Sequence, residues 1–219
     1  MTRESFEAEL KALREQLLRM AATVESQIHE ALEALQKLDN ERALQVRSND
    51  QQLNELFRRL REECLTVIAT QQPVARDLRT LMGVIYISSE LERIGDYAVR
   101  VARFTGTLCG LPHAPLRAEF GLMGNLATSQ VREILDALIE ADEAKAREVA
   151  ARDDEIDRLY HRVFDDLIRE MAGGGGEETV LRTVTLLLVA HNLERIGDRV
   201  TNVAEDIVFL QTGQVVELG

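Results

Sequence analysis

The sequence predicts an all-α protein made of two tandem antiparallel three-helix bundles related by internal duplication, and three observations carry that prediction. The composition suits helices: aromatic residues are 4% of 219, Pro occurs 3 times and Trp is absent, while Ala, Leu, Glu and Arg dominate. Apolar residues recur three or four apart over long segments, and none sustains the period-two alternation of a strand. The pentapeptide Glu92, Arg93, Ile94, Gly95, Asp96 is written again as Glu194, Arg195, Ile196, Gly197, Asp198, which marks a duplication.

Taken in order, the first helix is expected from about Ser5 to Leu38, its coiled-coil-like stripe formed by Leu10, Leu13, Leu17, Met20, Val24, Ile28, Ala31 and Leu35. Asp39 and Asn40 supply a cap and a turn. The next run uses Leu44, Leu53, Leu56, Leu60, Cys64, Val67 and Ile68 and stops by Pro73. A third helix runs from about Val74 through Leu81, Ile85, Leu91, Ile94, Ala98 and Val101 to near Thr105.

Gly106, Gly110, Pro112 and Pro115 then concentrate chain breakers, so the first unit is placed at 1–108, a linker at 109–115 and the second unit at 116–219. The order of events repeats. A helix is expected from about Leu116 to Glu140, a turn at Ala141 and Asp142, and a single helix through Val149, Ile156, Leu159, Val163 and Leu167. Gly173 to Gly176 reads as a helix connector, since it lacks the Lys and Ser or Thr of a P-loop and no strand precedes it. The last helix, about Glu177 to Leu210, carries the second pentapeptide.

With 26 basic and 38 acidic side chains the formal charge is −12, which opposes general binding to nucleic acid or an anionic bilayer. It suits metal cations or a basic partner surface. Cys64 and Cys109 fit no metal spacing and read as inert thiols of a reducing compartment. Met1 to Leu10 carries Arg3, Glu4, Glu7 and Glu9 and does not resemble a signal peptide. The most apolar stretch, Val184 to Ala190, falls far short of the ~20 residues of a spanning helix. A soluble cytoplasmic protein is expected.

At about 100° per residue, Leu193, Ile196, Val200, Val203 and Ile207 form the core stripe of the last helix, and Glu194, Asp198, Asn202 and Glu205 align on the opposite side. Like charges four apart cost a helix ~0.2–0.5 kcal/mol per pair, a cost that a bound cation reverses. Such oxygen donors suit magnesium, manganese or iron. Asp153, Asp157 and His161, four apart on the preceding helix, extend this candidate metal site. The first unit offers Glu92, Asp96 and Asp50 with Asn54, and has Arg58, Arg100 and Arg103 where the second has His161, Asn202 and Glu205. A weaker first site is expected. Solvated acidic faces salt-bridged by Arg93, Arg195 and Arg199 are the bland alternative, but the recurrence, and a mid-helix Gly in each copy, favour the functional reading.

At these residues the sequence resembles the PhoU family of bacterial phosphate-uptake regulators. The resemblance covers nearly the whole chain: Leu91 to Ala98 and Asn192 to Glu205 as motif helices, and Arg152 to Leu159 as the acidic segment; Arg100 departs from the family's usual Asn. It implies a non-enzymatic cytoplasmic regulator that works with the phosphate ABC transporter, through its ATPase subunit, and with a sensor histidine kinase, peripheral to the membrane and keeping the starvation response off when phosphate is plentiful. It also implies homodimers and metal, iron first and zinc, manganese or magnesium as alternatives, on the Glu-x-x-x-Asp motifs. A ferritin-like catalytic centre would need Glu-x-x-His pairs, and none of His29, His113, His161 or His191 completes one. A metal-free helical adaptor is the other alternative.

Overall fold

The computed structural model describes residues 3–219; Met1 and Thr2, the start of the stretch read above as no signal peptide, lie outside the described residues. Seven helices form among the described residues: α1 (Arg3–Lys37), α2 (Asn40–Gln71), α3 (Ala75–Cys109), α4 (Ala118–Glu140), α5 (Glu143–Ala150), α6 (Asp153–Ala172) and α7 (Glu177–Thr212). No helix among them is long and apolar enough to cross a membrane.

The turn after the first helix of each unit is built the same way. Leu38 and Ala141 take left-handed conformations, φ 50° and 57°. Asp39 and Asp142 then turn extended, and each carboxylate accepts a 3.0 Å hydrogen bond from the backbone N–H three residues on, at Arg42 and Lys145. This N-cap satisfies a donor that the helix itself leaves free.

Beyond that turn the units differ. α2 is continuous, whereas the single helix expected through Val149 and Leu167 is broken at Ala151 and Arg152 into α5 and α6. Asp153, Asp154 and Glu155 fill the first turn of α6, where the helix dipole favours acids. Arg152 pairs with Glu133 of α4 and fixes the bend.

The predicted stripes are the core: Leu13, Leu17, Met20, Val24, Ile28 and Leu35 of α1 and Leu193, Ile196, Val200, Val203 and Ile207 of α7 are all buried. Burial also pushes the Cys64 thiol up to about 12, so it stays protonated and unreactive. Helices α1 to α3 pack on one another, α4 to α7 do likewise, and the units join side by side through α3 with α7 and α1 with α4. α3 and α7 run antiparallel, since Gly83 meets Leu210, Glu90 meets Asn202 and Tyr97 meets Arg195. A Cβ at Gly83 would lie 2.2 Å from Leu210 Cδ2, so this close approach requires glycine. At the seam the half-buried Glu90 accepts hydrogen bonds from Asn202 Nδ2 at 3.0 Å and Arg199 Nη1 at 3.3 Å.

Candidate metal centres

The second centre lies between α6 and α7. Asp153 stands at the first position of α6 and Asp157 one turn on, while Glu194 and Asp198 face them from α7. One ligand oxygen from each of Asp153, Asp157 and Asp198 falls within 4.8 Å of the others. Asp153 Oδ1, Asp157 Oδ1 and Glu194 Oε2 are buried with no hydrogen-bond partner. The side chains of Glu194 and Asp198 are only 18% and 24% exposed, so the acidic stripe lines a groove and does not stand open to solvent. Burial first, then the charges of Asp157 and Asp198, raises Asp153 to about 6. Burial and the same two aspartates raise Glu194 to about 7. Mutual repulsion and unpartnered oxygens are the conditions a hard or borderline cation relieves, and the all-oxygen donor set fits one.

Other groups crowd the rim. Arg195 pairs with Asp198, and its Nε is 3.5 Å from the Tyr97 hydroxyl. His191 Nδ1 lies 3.3 Å from Glu194 Oε2, and its ring centroid is 6.1 Å from that of Tyr160. Sequence reasoning passed over His191; its position three residues before Glu194, on one helical face, was the available signal.

Not every predicted residue joins the cluster. His161 is exposed, and its ring packs against Tyr160; only its charge reaches Asp157. Asn202 is turned to Glu90 of α3, and Glu205 accepts the backbone N–H of Leu218 at 2.9 Å. At about 100° per residue the four stripe positions share a side of α7, yet different neighbours meet that side along its length.

The first centre lies between α2 and α3 and gathers Asp50, Glu92 and Asp96. No cluster within 4.8 Å forms from these three, among the described residues. Asn54 Nδ2 donates to Asp50 Oδ2 at 3.0 Å, occupying an oxygen that in the second centre faces another carboxylate. Burial, then Asp96, raises both Asp50 and Glu92. Arg58 is drawn to Glu55 and Glu62, and the Arg100 guanidinium sits 5.1 Å over the Tyr97 ring, a cation–π placement.

The motif glycines make room for these centres. A Cβ at Gly197 would stand 2.5 Å from Asp153 Oδ1 and 3.3 Å from Ile156 Cδ1; one at Gly95 would stand 2.1 Å from Leu53 Cδ2. Each glycine therefore lets the preceding helix of its own unit come close.

The family model of the PhoU domain matches the chain twice, over residues 17–105 and 120–207. The chain belongs to the PhoU family. A Clostridium acetobutylicum protein described as a phosphate-specific transport system accessory protein PhoU homolog is 39% identical, over 100% of this chain and 99% of that one. The crystal structure of PhoU from Pseudomonas aeruginosa matches with a TM-score of 0.91 at 36% identity, over 95% of this chain and 100% of that one. The phosphate transport system regulatory protein PhoU from Streptococcus pneumoniae matches with a TM-score of 0.89 at 27% identity, over 97% and 100% of the two chains.

Proposed function

We propose that this protein regulates phosphate uptake and phosphate-starvation signalling as an accessory of the phosphate ABC transporter. It contacts the transporter's ATPase subunit and the sensor histidine kinase as a homodimer at the cytoplasmic face of the membrane, and it catalyses no reaction. Full-length similarity to phosphate-specific transport accessory proteins supports this reading. So does the duplicated acidic motif retained within it.

The second centre holds the metal, with iron the first candidate. Asp153, Asp157 and Asp198 are its oxygen ligands, with Glu194 beside them. The observation that carries this is the cluster of three converging carboxylates, two of which, Asp153 and Asp157, have a buried oxygen without a hydrogen-bond partner. A metal-free adaptor is the second reading, favoured by the Arg195–Asp198 pair, which neutralises part of the acid from within.

Deleting the gene is expected to derepress phosphate-starvation genes at high phosphate, and normal repression in the deletion strain would refute the regulatory role. Gently purified protein is expected to retain metal that the Glu194→Ala, Asp198→Ala double variant loses. Equal metal in both, or none in either, would favour the adaptor.

A further inference from the structure

Each acidic centre has an uncharged neighbour on the first helix of its unit. Gln27 of α1 and Gln130 of α4 are equivalent in the duplication and only 4% and 2% exposed. A glutamine amide brings two N–H donors and a carbonyl acceptor; the Gln27 amide is turned to Asp50, where it offsets part of the rise that burial causes, whereas Gln130 Oε1 lacks a hydrogen-bond partner. An unmatched buried amide is unfavourable and seldom left so without a reason. Beside Gln130 stand two more buried acceptors without a hydrogen-bond partner, Asp153 Oδ1 and Asp157 Oδ1, with the Thr201 hydroxyl next to Asp153.

The motif glycine of the second unit is the point where amide and carboxylate meet. A Cβ at Gly95 would be 2.8 Å from Gln27 Oε1, and one at Gly197 would be 3.6 Å from Gln130 Oε1 and 2.5 Å from Asp153 Oδ1. In the first unit Leu53 stands where Ile156 does in the second, and no carboxylate is among the atoms nearest Gly95. At Gly197 an amide oxygen without a donor and a carboxylate oxygen approach one glycine from two helices, a crowding of acceptors that a cation between them relieves.

We infer that the Gln130 carbonyl oxygen is a neutral ligand on the inner side of the second centre. That centre then draws oxygens from three helices of its unit: α4, α6 and the motif helix α7. The ligand class is a divalent or trivalent cation that prefers oxygen. The inference rests on the metal reading of the second centre.

The test uses the full-length apo protein titrated calorimetrically at pH 7.5 with Mn²⁺ and, anaerobically, with Fe²⁺, together with the melting temperature of each metal-free variant. Gln130→Leu is expected to bind about tenfold more weakly while its metal-free form melts higher, because the unmatched amide is gone. Gln130→Glu keeps the shape and adds a charged oxygen, so it is expected to bind at least as tightly as wild type and to melt lower without metal. Should Gln130→Leu fail to fold, Gln130→Met carries the same expectation. Wild-type affinity in the Leu or Met variant overturns the inference alone. Loss of binding in Gln130→Glu also overturns it, since it would show that the amide acts as an N–H donor that positions Asp153. Failure of the wild-type protein to bind either ion overturns the metal reading and this inference together.

Discussion

The two centres share a pentapeptide and differ in how their charge is relieved. In the first, Asn54 donates to Asp50, and the three acids do not converge. In the second, Asp157 takes the place of Asn54 and brings a further negative charge where the first centre has an N–H donor. Asp153, Asp157 and Asp198 then converge, with Asp153 Oδ1 and Asp157 Oδ1 unpartnered. The second centre thus carries one more carboxylate where the first has an amide donor, and the Arg195–Asp198 pair offsets only part of its charge. The break between α5 and α6 adds to this, because it places Asp153 at the start of a helix.

The glycines offer the largest break in the comparison. Gly95→Ala drives a methyl into Leu53 Cδ2 and Gln27 Oε1, both on buried side chains. The variant is expected to lose about 1–2 kcal/mol, overpacking outweighing the better helix propensity of Ala. Gly197→Ala instead meets the Asp153 carboxylate oxygen first and Ile156 only at 3.3 Å, so its stability should change less and its metal binding more. Chemical denaturation and metal titration of both variants check this; similar stability losses with metal binding untouched would erase the distinction.

A second expectation concerns pH. The folded values of Asp153 and Glu194 are raised, to about 6 and about 7, above those of an unfolded chain. The metal-free protein is therefore free of this strain below about pH 4, where both states are protonated, and loses stability as pH rises through 6 to 7. Metal binding needs the ionised forms, so the rise in melting temperature on adding Mn²⁺ should grow from pH 5.5 to 7.5. A metal-induced shift that is flat across this range would contradict the placement of the ion at these carboxylates.

The smallest expected effect is on the metal-free protein. Asp153→Asn removes repulsion and should stabilise it at pH 7.5 by about 1 kcal/mol after allowing for solvent screening, and Asp50→Asn by less, because Asn54 already offsets that charge. Thermal melts in chelator test the order, and a larger gain at Asp50 would reverse the comparison.

Much of the fold was legible because helical periodicity reports burial directly: the stripe Leu193, Ile196, Val200, Val203, Ile207 is a one-dimensional signal of one buried face. The Asp39 and Asp142 turns were legible because capping is local. The break at Ala151 and Arg152 was not, since Arg152 is held by Glu133 of another helix, a contact no periodicity encodes. In the site, Asp153 with Asp157 and Glu194 with Asp198 could be paired by their four-residue spacing, and the two pairs joined by expecting neighbouring helices of one bundle to pack together. Asn202 and Glu205 shared that spacing but found partners at Glu90 and Leu218, which depend on how the units pack and where the chain end lies. The two glutamines were missed because their role depends on how the first helix of each unit packs on the others, whereas His191 had a local signal in its spacing from Glu194.

The measurement that tests the central claim most directly is a reciprocal exchange, Asp157→Asn and Asn54→Asp, each titrated calorimetrically with Mn²⁺ at pH 7.5. The account predicts that Asp157→Asn weakens binding at least about tenfold and that Asn54→Asp adds a second binding event. Unchanged affinity in Asp157→Asn, with no new event in Asn54→Asp, would contradict it.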